Sequence, residues 1–300
     1  MIFTKKNRKE VAKTHAAAKI KEDRKYILNS KSSFYLREAY KTLRTNVNFA
    51  LADTDGCKVI LVTSAMQSEG KSLTALNLAI SLGLTEKKVL IVDCDLRRPK
   101  LGRLLSVSST SGLSNLLVDN TQMDVTILSH ARHGIDVLLS GDIPPNPSEL
   151  LASTKMQKLL TTLREQYEYI ILDTPPVNMV VDAVVLAEQS DGVLFVVKAE
   201  QSERGSVIHA VEQLEYAKAK IIGFLLNGIS PDSGVGYGKY RYRQYGRYGY
   251  GRYGRYGRYG RYSGYYGGYG HYGQYGSRGG YGREFDRRPE TAGPDQYHRD

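Results

Sequence analysis

The sequence predicts an α/β fold: a mainly parallel β-sheet with helices on both faces. Three observations carry this. Short, continuous apolar runs of strand length recur between residues 59 and 226. Such runs mark strands buried on both faces, the condition of a parallel sheet. Segments of helical periodicity lie between them, as crossover connections require. Three of the runs also end in a chemically loaded loop, at residues 65–72, at Asp93 and at Asp173. Ligands in open α/β sheets bind just beyond the carboxyl ends of the strands.

Taken in chain order, residues 1–30 are Lys-rich and polar and read as a basic N-terminal segment. Residues 34–51 place Phe34, Leu36, Tyr40, Leu43, Val47 and Leu51 near helical spacing, which predicts an amphipathic helix. Val59–Thr63 is the first strand and Leu73–Leu84 the next helix. Val89–Val92 is a strand ending in Asp93, and Ile135–Leu139 is another. Pro147 and Ser148 open a helix that continues to Leu160 or beyond, with a break near Ser153. Tyr169–Leu172 ends in Asp173. Gly192–Val197, a helix over about 203–217 and Ile221–Leu226 complete the series. The folded domain is therefore expected over residues 31–233.

At Gly234 the character changes. To Gly282 the chain is almost wholly Gly, Tyr and Arg, with Arg-Tyr-Gly repeated over 252–260. It has no apolar periodicity and cannot bury a core, so residues 234–300 are expected to be a disordered tail. This tail holds 13 Lys+Arg against 5 Asp+Glu, most of the chain's net charge of +11. The folded part is close to neutral, which argues against specific nucleic-acid binding by that domain. Cys57 and Cys94 are too far apart in sequence for a zinc knuckle. No run of 18 apolar residues is present, and the basic N-terminus lacks the apolar core of a signal peptide. A cytoplasmic chain is expected.

Ala65-x4-Gly70-Lys71-Ser72 matches the phosphate-binding P-loop pattern with Ala for the first Gly, and it sits between a predicted strand and helix as that pattern requires. Ser68, Glu69, Gly70, Lys71, Ser72 and Leu73 are the expected nucleotide contacts, through backbone N–H groups and the helix N-terminus. Lys71 should reach the β- and γ-phosphates of ATP, and the Ser72 hydroxyl should ligate Mg²⁺. Asp173, followed by Thr174-Pro175-Pro176, stands at the Walker B position, where a strand-end carboxylate faces the metal. Asp93-Cys94-Asp95-Leu96-Arg97 adds two carboxylates two residues apart, suited to metal and acid–base work. The fold class is thus that of a P-loop NTPase.

Together these segments resemble the bacterial tyrosine kinases of capsule and exopolysaccharide systems. The hydrophobic run and Asp-x-Asp-x-Arg of that family's second Walker motif are matched by Val89–Arg97. Its Asp-Thr-Pro-Pro is matched at 173–176, and its tyrosine-rich tail at 237–281. Its Glu-x2-Arg-x2-Arg oligomerisation motif is similar to Glu38, Lys41 and Arg44, with Lys for the first Arg. Gln67 and Ser68 depart from the family, standing where Pro and Gly are common, and altered loop stiffness is expected. The resemblance implies Asp93 as the base for the acceptor tyrosine, Asp95 and Asp173 as Mg²⁺ ligands, and Arg97 as a neutraliser of charge. It further implies a ring-shaped homo-oligomer built through Glu38, Lys41 and Arg44. A membrane-bound activator resembling a chain-length determinant would recruit the kinase to the membrane, and a protein-tyrosine phosphatase would oppose it. This chain resembles the separate, stand-alone type of kinase, not the fused one.

The expected acceptors are Tyr237, Tyr240, Tyr242, Tyr245, Tyr248, Tyr250, Tyr253, Tyr256, Tyr259, Tyr262, Tyr265, Tyr266, Tyr269, Tyr272, Tyr275 and Tyr281. Each phosphate adds about −1.5 to −2 charge, so roughly four to six would cancel the charge of the tail. A flexible tail of this length spans about 45 Å, enough to reach its own site or a neighbour's. Equivalent repeats predict redundancy, so that single Tyr→Phe changes leave total phosphorylation nearly unchanged.

Several readings stay open at this stage. Glu38, Lys41 and Arg44 are an intersubunit contact or a solvated helix face. Asp182 belongs to a nucleotide-sensing loop or caps a helix. Asn227 is a turn residue or meets the adenine. Tyr26, Tyr35 and Tyr40 read as packing or partly exposed residues and not as acceptors, and the histidines are scattered. Two other functions compete. One is a partitioning or positioning P-loop ATPase, which would need a lysine where Met66 stands. The other is a nucleotide-binding scaffold whose Gly/Tyr/Arg tail binds RNA by charge and stacking.

Overall fold

The computed structural model describes residues 18, 20–118, 126–132 and 134–229. Among them lie seven strands: β1 Lys58–Ser64, β2 Val89–Asp93, β3 Leu128–Arg132, β4 Ile135–Leu138, β5 Tyr169–Asp173, β6 Gly192–Lys198 and β7 Ile221–Asn227. They form one sheet in the order β3-β4-β2-β5-β1-β6-β7. Every pairing is parallel except β3 with β4, which is antiparallel at the edge. The helices are α1 Phe34–Ala50, α2 Lys71–Gly83, α3 Leu101–Leu105, α4 Leu113–Val118, α5 Pro147–Leu151, α6 Thr154–Gln166, α7 Asp182–Ala187 and α8 Arg204–Tyr216.

Alternation along each strand feeds two cores. Val59 and Leu61 of β1, Ile170 and Leu172 of β5 and Phe195 of β6 face one side, against α6, α7 and α8 through Leu160, Leu163, Leu186 and Leu214. Ile60, Val62, Ile91 and Ile171 face the other side, against Leu76 and Ile80 of α2 and Val47 of α1. Each fully buried aliphatic side chain contributes about 1.5–3 kcal/mol of transfer free energy, which is why these runs carry no polar interruption.

The expected strands are all present, most extended by a residue at one or both ends. The predicted break near Ser153 is real: α5 stops at Leu151, and the Ser153 hydroxyl accepts from Met156 N to cap α6. Two features differ from expectation. α2 begins at Lys71, two residues earlier than predicted, because Gly70 takes the N-cap position with φ +99°. Packing also starts ahead of residue 31. Ile27 and Leu28 are buried, and the fully buried Asn77 of α2 accepts from Leu28 N (2.8 Å) and donates to Tyr26 O (2.9 Å).

Cys57 and Cys94 are buried free thiols. No helix among the described residues is long and apolar enough to cross a membrane. The 234–300 tail with its acceptor tyrosines, and most of the first thirty residues, lie outside the described residues.

Candidate functional site

β2, β5 and β1 are neighbours, and their carboxyl ends bring the three loaded loops together. Asp93 and Asp173 are direct partners in the β2–β5 register. The ends are tied to one another by Cys94 N to Asp173 O (2.8 Å), Thr63 Oγ1 to Pro175 O (2.9 Å) and Thr174 Oγ1 to Val62 O (3.0 Å). The Thr-Pro-Pro segment thus fixes where the β5 carboxylate sits relative to the loop after β1.

That loop, residues 65–70, has two left-handed residues, Ser68 (φ +71°) and Gly70 (φ +99°). Such turns aim successive N–H groups at one point, the concavity that holds an anion. Gly70 is required. A Cβ there would lie 2.0 Å from the Asn227 side chain. Asn227 Nδ2 donates to Glu69 O (2.9 Å), so the end of β7 clamps the loop. The Glu69 carboxylate is buried and turned inward. It accepts from Met66 N (2.7 Å) and from the Ser202 hydroxyl in the turn after β6. Glu69 therefore meets a phosphate only through its backbone. Ser72 and Leu73 occupy the first turn of α2, with N–H groups at the helix head.

Lys71 is buried at the centre. Its Nζ lies 3.4 Å from Asp95 Oδ2, 3.7 Å from Asp173 Oδ1 and 3.4 Å from Ser72 Oγ. Burial pulls its pKa down, but the charges of Asp173, Asp95 and Asp93 outweigh this and raise it. Asp173 is fully buried and neither carboxylate oxygen has a hydrogen-bond partner. Burial raises its pKa, opposed by the charge of Lys71 and by the Ser72 hydroxyl, which lies beside it without closing a well-formed hydrogen bond. An orphaned carboxylate beside a hydroxyl and a second carboxylate fits a hard, oxygen-seeking cation. No three carboxylate, imidazole or thiol groups among the described residues are gathered to chelate a metal unaided. Mg²⁺ suits that shortage, since it takes the rest of its octahedron from phosphate and water.

The two aspartates after β2 divide their tasks. Asp93 is wholly buried. Its Oδ2 accepts from Lys100 N (3.1 Å) and Leu101 N (3.0 Å), and its Oδ1 from Asp95 N (3.3 Å). It thereby fixes the turn into α3. Burial first, and then the charge of Asp173, push its pKa up to about 7. Asp95 lies nearer the surface, with Oδ2 toward Lys71 and Oδ1 accepting from Arg98 N (3.0 Å).

The chain resembles known proteins over most of this folded region. Residues 57–222 match the family model described as an AAA domain. Over 202 residues the chain is 39% identical to tyrosine-protein kinase YwqD of Bacillus subtilis, covering 67% of this chain and 85% of that one. The chain belongs to the bacterial tyrosine-protein kinase family. Among solved structures, the kinase domain of the Escherichia coli tyrosine kinase ETK superposes with a TM-score of 0.64 at 33% identity, over 67% of this chain and 79% of that one. Putative tyrosine-protein kinase EpsB of Ralstonia solanacearum is 35% identical over 212 residues, 69% of this chain but only 28% of that much longer protein.

In this kinase the structure gathers Lys71, Ser72, Asp93, Asp95 and Asp173 at one point. Arg97 lies apart from them. Its guanidinium is engaged by Asp182 through Nε to Oδ2 (3.0 Å) and Nη2 to Oδ1 (3.1 Å). The exposed guanidinium of Arg98 reaches Gln67 Oε1 across the loop (3.1 Å). On α1, Lys41 pairs with Glu38 (2.7 Å). Arg44 turns inward and donates to Ser81 O of α2. Ser202, the clamping role of Asn227 and the hold of Asp182 on Arg97 are what sequence reasoning missed. A polar cleft of about 690 Å³ lies among residues that include Lys87, Asp136 and Tyr167; of the motif residues it touches only Val89, at the start of β2.

Proposed function

We propose that this chain is an ATP- and Mg²⁺-dependent protein-tyrosine kinase that phosphorylates tyrosines of its own 237–281 tail and regulates capsule or exopolysaccharide synthesis. One observation carries the reading: a buried lysine, a hydroxyl and an orphaned carboxylate converge at the head of a helix, beside a loop built to hold an anion.

In this reading the N–H groups of residues 68–73 receive the phosphates. Lys71 turns from Asp95 and Asp173 to the β- and γ-oxygens. Ser72, Asp95 and Asp173 would hold Mg²⁺, whose chemistry there would be to neutralise phosphate charge. The γ-phosphorus–oxygen bond to ADP breaks as the phenol oxygen bonds to phosphorus, and the phenol proton passes to a carboxylate. Asp93, with its pKa near 7, is matched to accept it at neutral pH, once the turn releases one of its oxygens. Arg97 acts from the side of the site, through its contacts.

The family resemblance supports a ring of subunits joined through Glu38, Lys41 and Arg44, with one subunit's tail entering its neighbour's site. It equally supports a membrane-bound activator and an opposing protein-tyrosine phosphatase. The decisive experiment incubates full-length protein with Mg·ATP and the activator's cytoplasmic segment, then blots for phosphotyrosine. A signal lost in Lys71→Met is the expected result. Absence of signal in the wild type under those conditions overturns the proposal.

A further inference from the structure

Asp182 stands eighty-five residues from Arg97 in the chain, yet its carboxylate is the anchor of that side chain. It is wholly buried, whereas the Arg97 side chain is 39% exposed. The contact is two-pronged, the strongest geometry open to a guanidinium and a carboxylate. A third donor completes it: Ser148 Oγ donates to Asp182 Oδ1 (2.7 Å) and accepts from Arg97 Nη2 (2.9 Å). Asp182 is the first residue of α7, one past the N-cap Val181, and its carboxylate oxygens are turned to Arg97 and Ser148. Three segments therefore meet in one closed polar triangle: the turn after β2, the start of α5 and the start of α7.

Resting on the kinase reading above, we infer that Asp182 and Ser148 are positioning residues, which hold Arg97 and through it the turn that presents Asp93 and Asp95. The turn is already pinned at its far end by Asp93 on Lys100 N and Leu101 N. Arg97 lies between those anchors, two residues after Asp95, whose Oδ1 binds the next backbone N–H at Arg98. With Arg97 released, the segment from 95 to 98 loses its only side-chain tie to α5 and α7 among the described residues. The Asp95 carboxylate, 3.4 Å from Lys71, then loses its register with the phosphate site. Reactions that depend on placement lose rate steeply with small displacements, even where binding persists.

The test compares full-length wild type, Asp182→Asn, Arg97→Gln and the double variant, all with activator present. The readouts are phosphotyrosine formation with varied ATP, and thermal unfolding. Each single variant should lose about tenfold or more in kcat with the KM for ATP within about twofold. The double variant should be no slower than the worse single, since both break one contact. Ser148→Ala should lose less. A direct role for Arg97 predicts otherwise: Asp182→Asn would free the guanidinium and preserve or raise kcat, and that result overturns the inference. So do additive losses, or an unchanged kcat in Arg97→Gln. Should Asp182→Asn fail to fold, Ser148→Ala decides the matter, because it removes only a hydroxyl from the triangle and leaves the ion pair; a kcat equal to that of wild type then overturns the inference. An inactive wild type would count against the kinase reading itself, whereas an active wild type with an equally active Asp182→Asn counts against this inference alone.

Discussion

Gly70→Ala tests whether the end of β7 clamps the phosphate loop. An added Cβ would lie 2.0 Å from Asn227 Nδ2, so the Asn227 side chain must leave. It then forfeits its bond to Glu69 O (2.9 Å) and the one its Oδ1 accepts from Gly228 N (2.9 Å). At about 1 kcal/mol for each bond, that is about 2 kcal/mol. An alanine held at φ +99° adds about 1–2 kcal/mol of backbone strain, giving roughly 3–4 kcal/mol in all. Asn227→Ala alone loses the two bonds, about 2 kcal/mol. In that background Gly70→Ala meets open space and retains only its strain. The double variant should therefore be about 2 kcal/mol more stable than the sum of the singles predicts. Urea unfolding of the four proteins without nucleotide measures this directly. Additivity to within about 0.5 kcal/mol would mean that Asn227 does not occupy the space above Gly70, and the clamp would be refuted.

Three more outcomes are expected. Ser68 adopts φ +71° where a glycine is unstrained, so Ser68→Gly should stabilise the nucleotide-free protein by up to about 1 kcal/mol; a lower melting temperature would contradict this. Asp93 has its pKa raised from 3.8 to about 7, chiefly by burial, so between those values the folded state keeps protons that the unfolded chain has released. Its contribution to stability must fall as pH rises through that window, and Asp93→Asn should flatten melting temperature against pH; an equal slope in the variant would sink the assignment. Exchanging the charges of Glu38 and Lys41 keeps their 2.7 Å pair and leaves Arg44 on Ser81 O, while inverting the charge pattern of α1. If this face joins subunits, sedimentation velocity will show a smaller species; an unchanged boundary removes Glu38 and Lys41 from the interface.

What the sequence disclosed follows from how far apart the determinants lie. Strands of a parallel sheet are apolar along their whole length, and β1, β2 and β5 are legible for that reason. β3 has no such run: Leu-Ser-His-Ala-Arg is an antiparallel edge strand, held only by β4. α3, α4 and α7 are five or six residues long, too short to show a helical period. In the site, Lys71, Ser72 and the strand-end aspartates are local motifs, readable one segment at a time. The clamp and brace are not. Asn227 reaches Glu69 across 158 positions, Ser202 reaches it across 133, and Asp182 meets Arg97 across 85. The sheet order brings such pairs together: β6 and β7 follow β1 across the sheet, and β5 lies directly beside β2. Arg44 carries the same lesson. Its three-residue spacing from Lys41 places both on one face of α1, but only the fold shows that its guanidinium turns in to α2.

The local rules are broken mainly where the chemistry belongs. Ser68 takes a conformation suited to glycine, Asp173 is a buried carboxylate without a hydrogen bond, and three carboxylates crowd one ammonium. Each is unfavourable in the protein alone, and all three lie within one pocket of the fold. The arrangement is intelligible if Lys71 is only a placeholder. At 3.7 Å from Asp173 it is that group's nearest source of positive charge, yet the same ammonium is the one poised for phosphate. It cannot serve both. When Lys71 turns to an incoming phosphate, Asp173 and Asp95 are left facing each other without a counter-charge, in surroundings where an unpaired buried charge costs several kcal/mol. Under the proposed function, Asp173 and Asp95 would meet that need by holding a divalent cation that enters with the nucleotide and would supply the charge. Nucleotide and cation should then bind as a unit. Lys71→Met, which removes the placeholder, should weaken the nucleotide's hold while leaving the carboxylates more dependent on the metal.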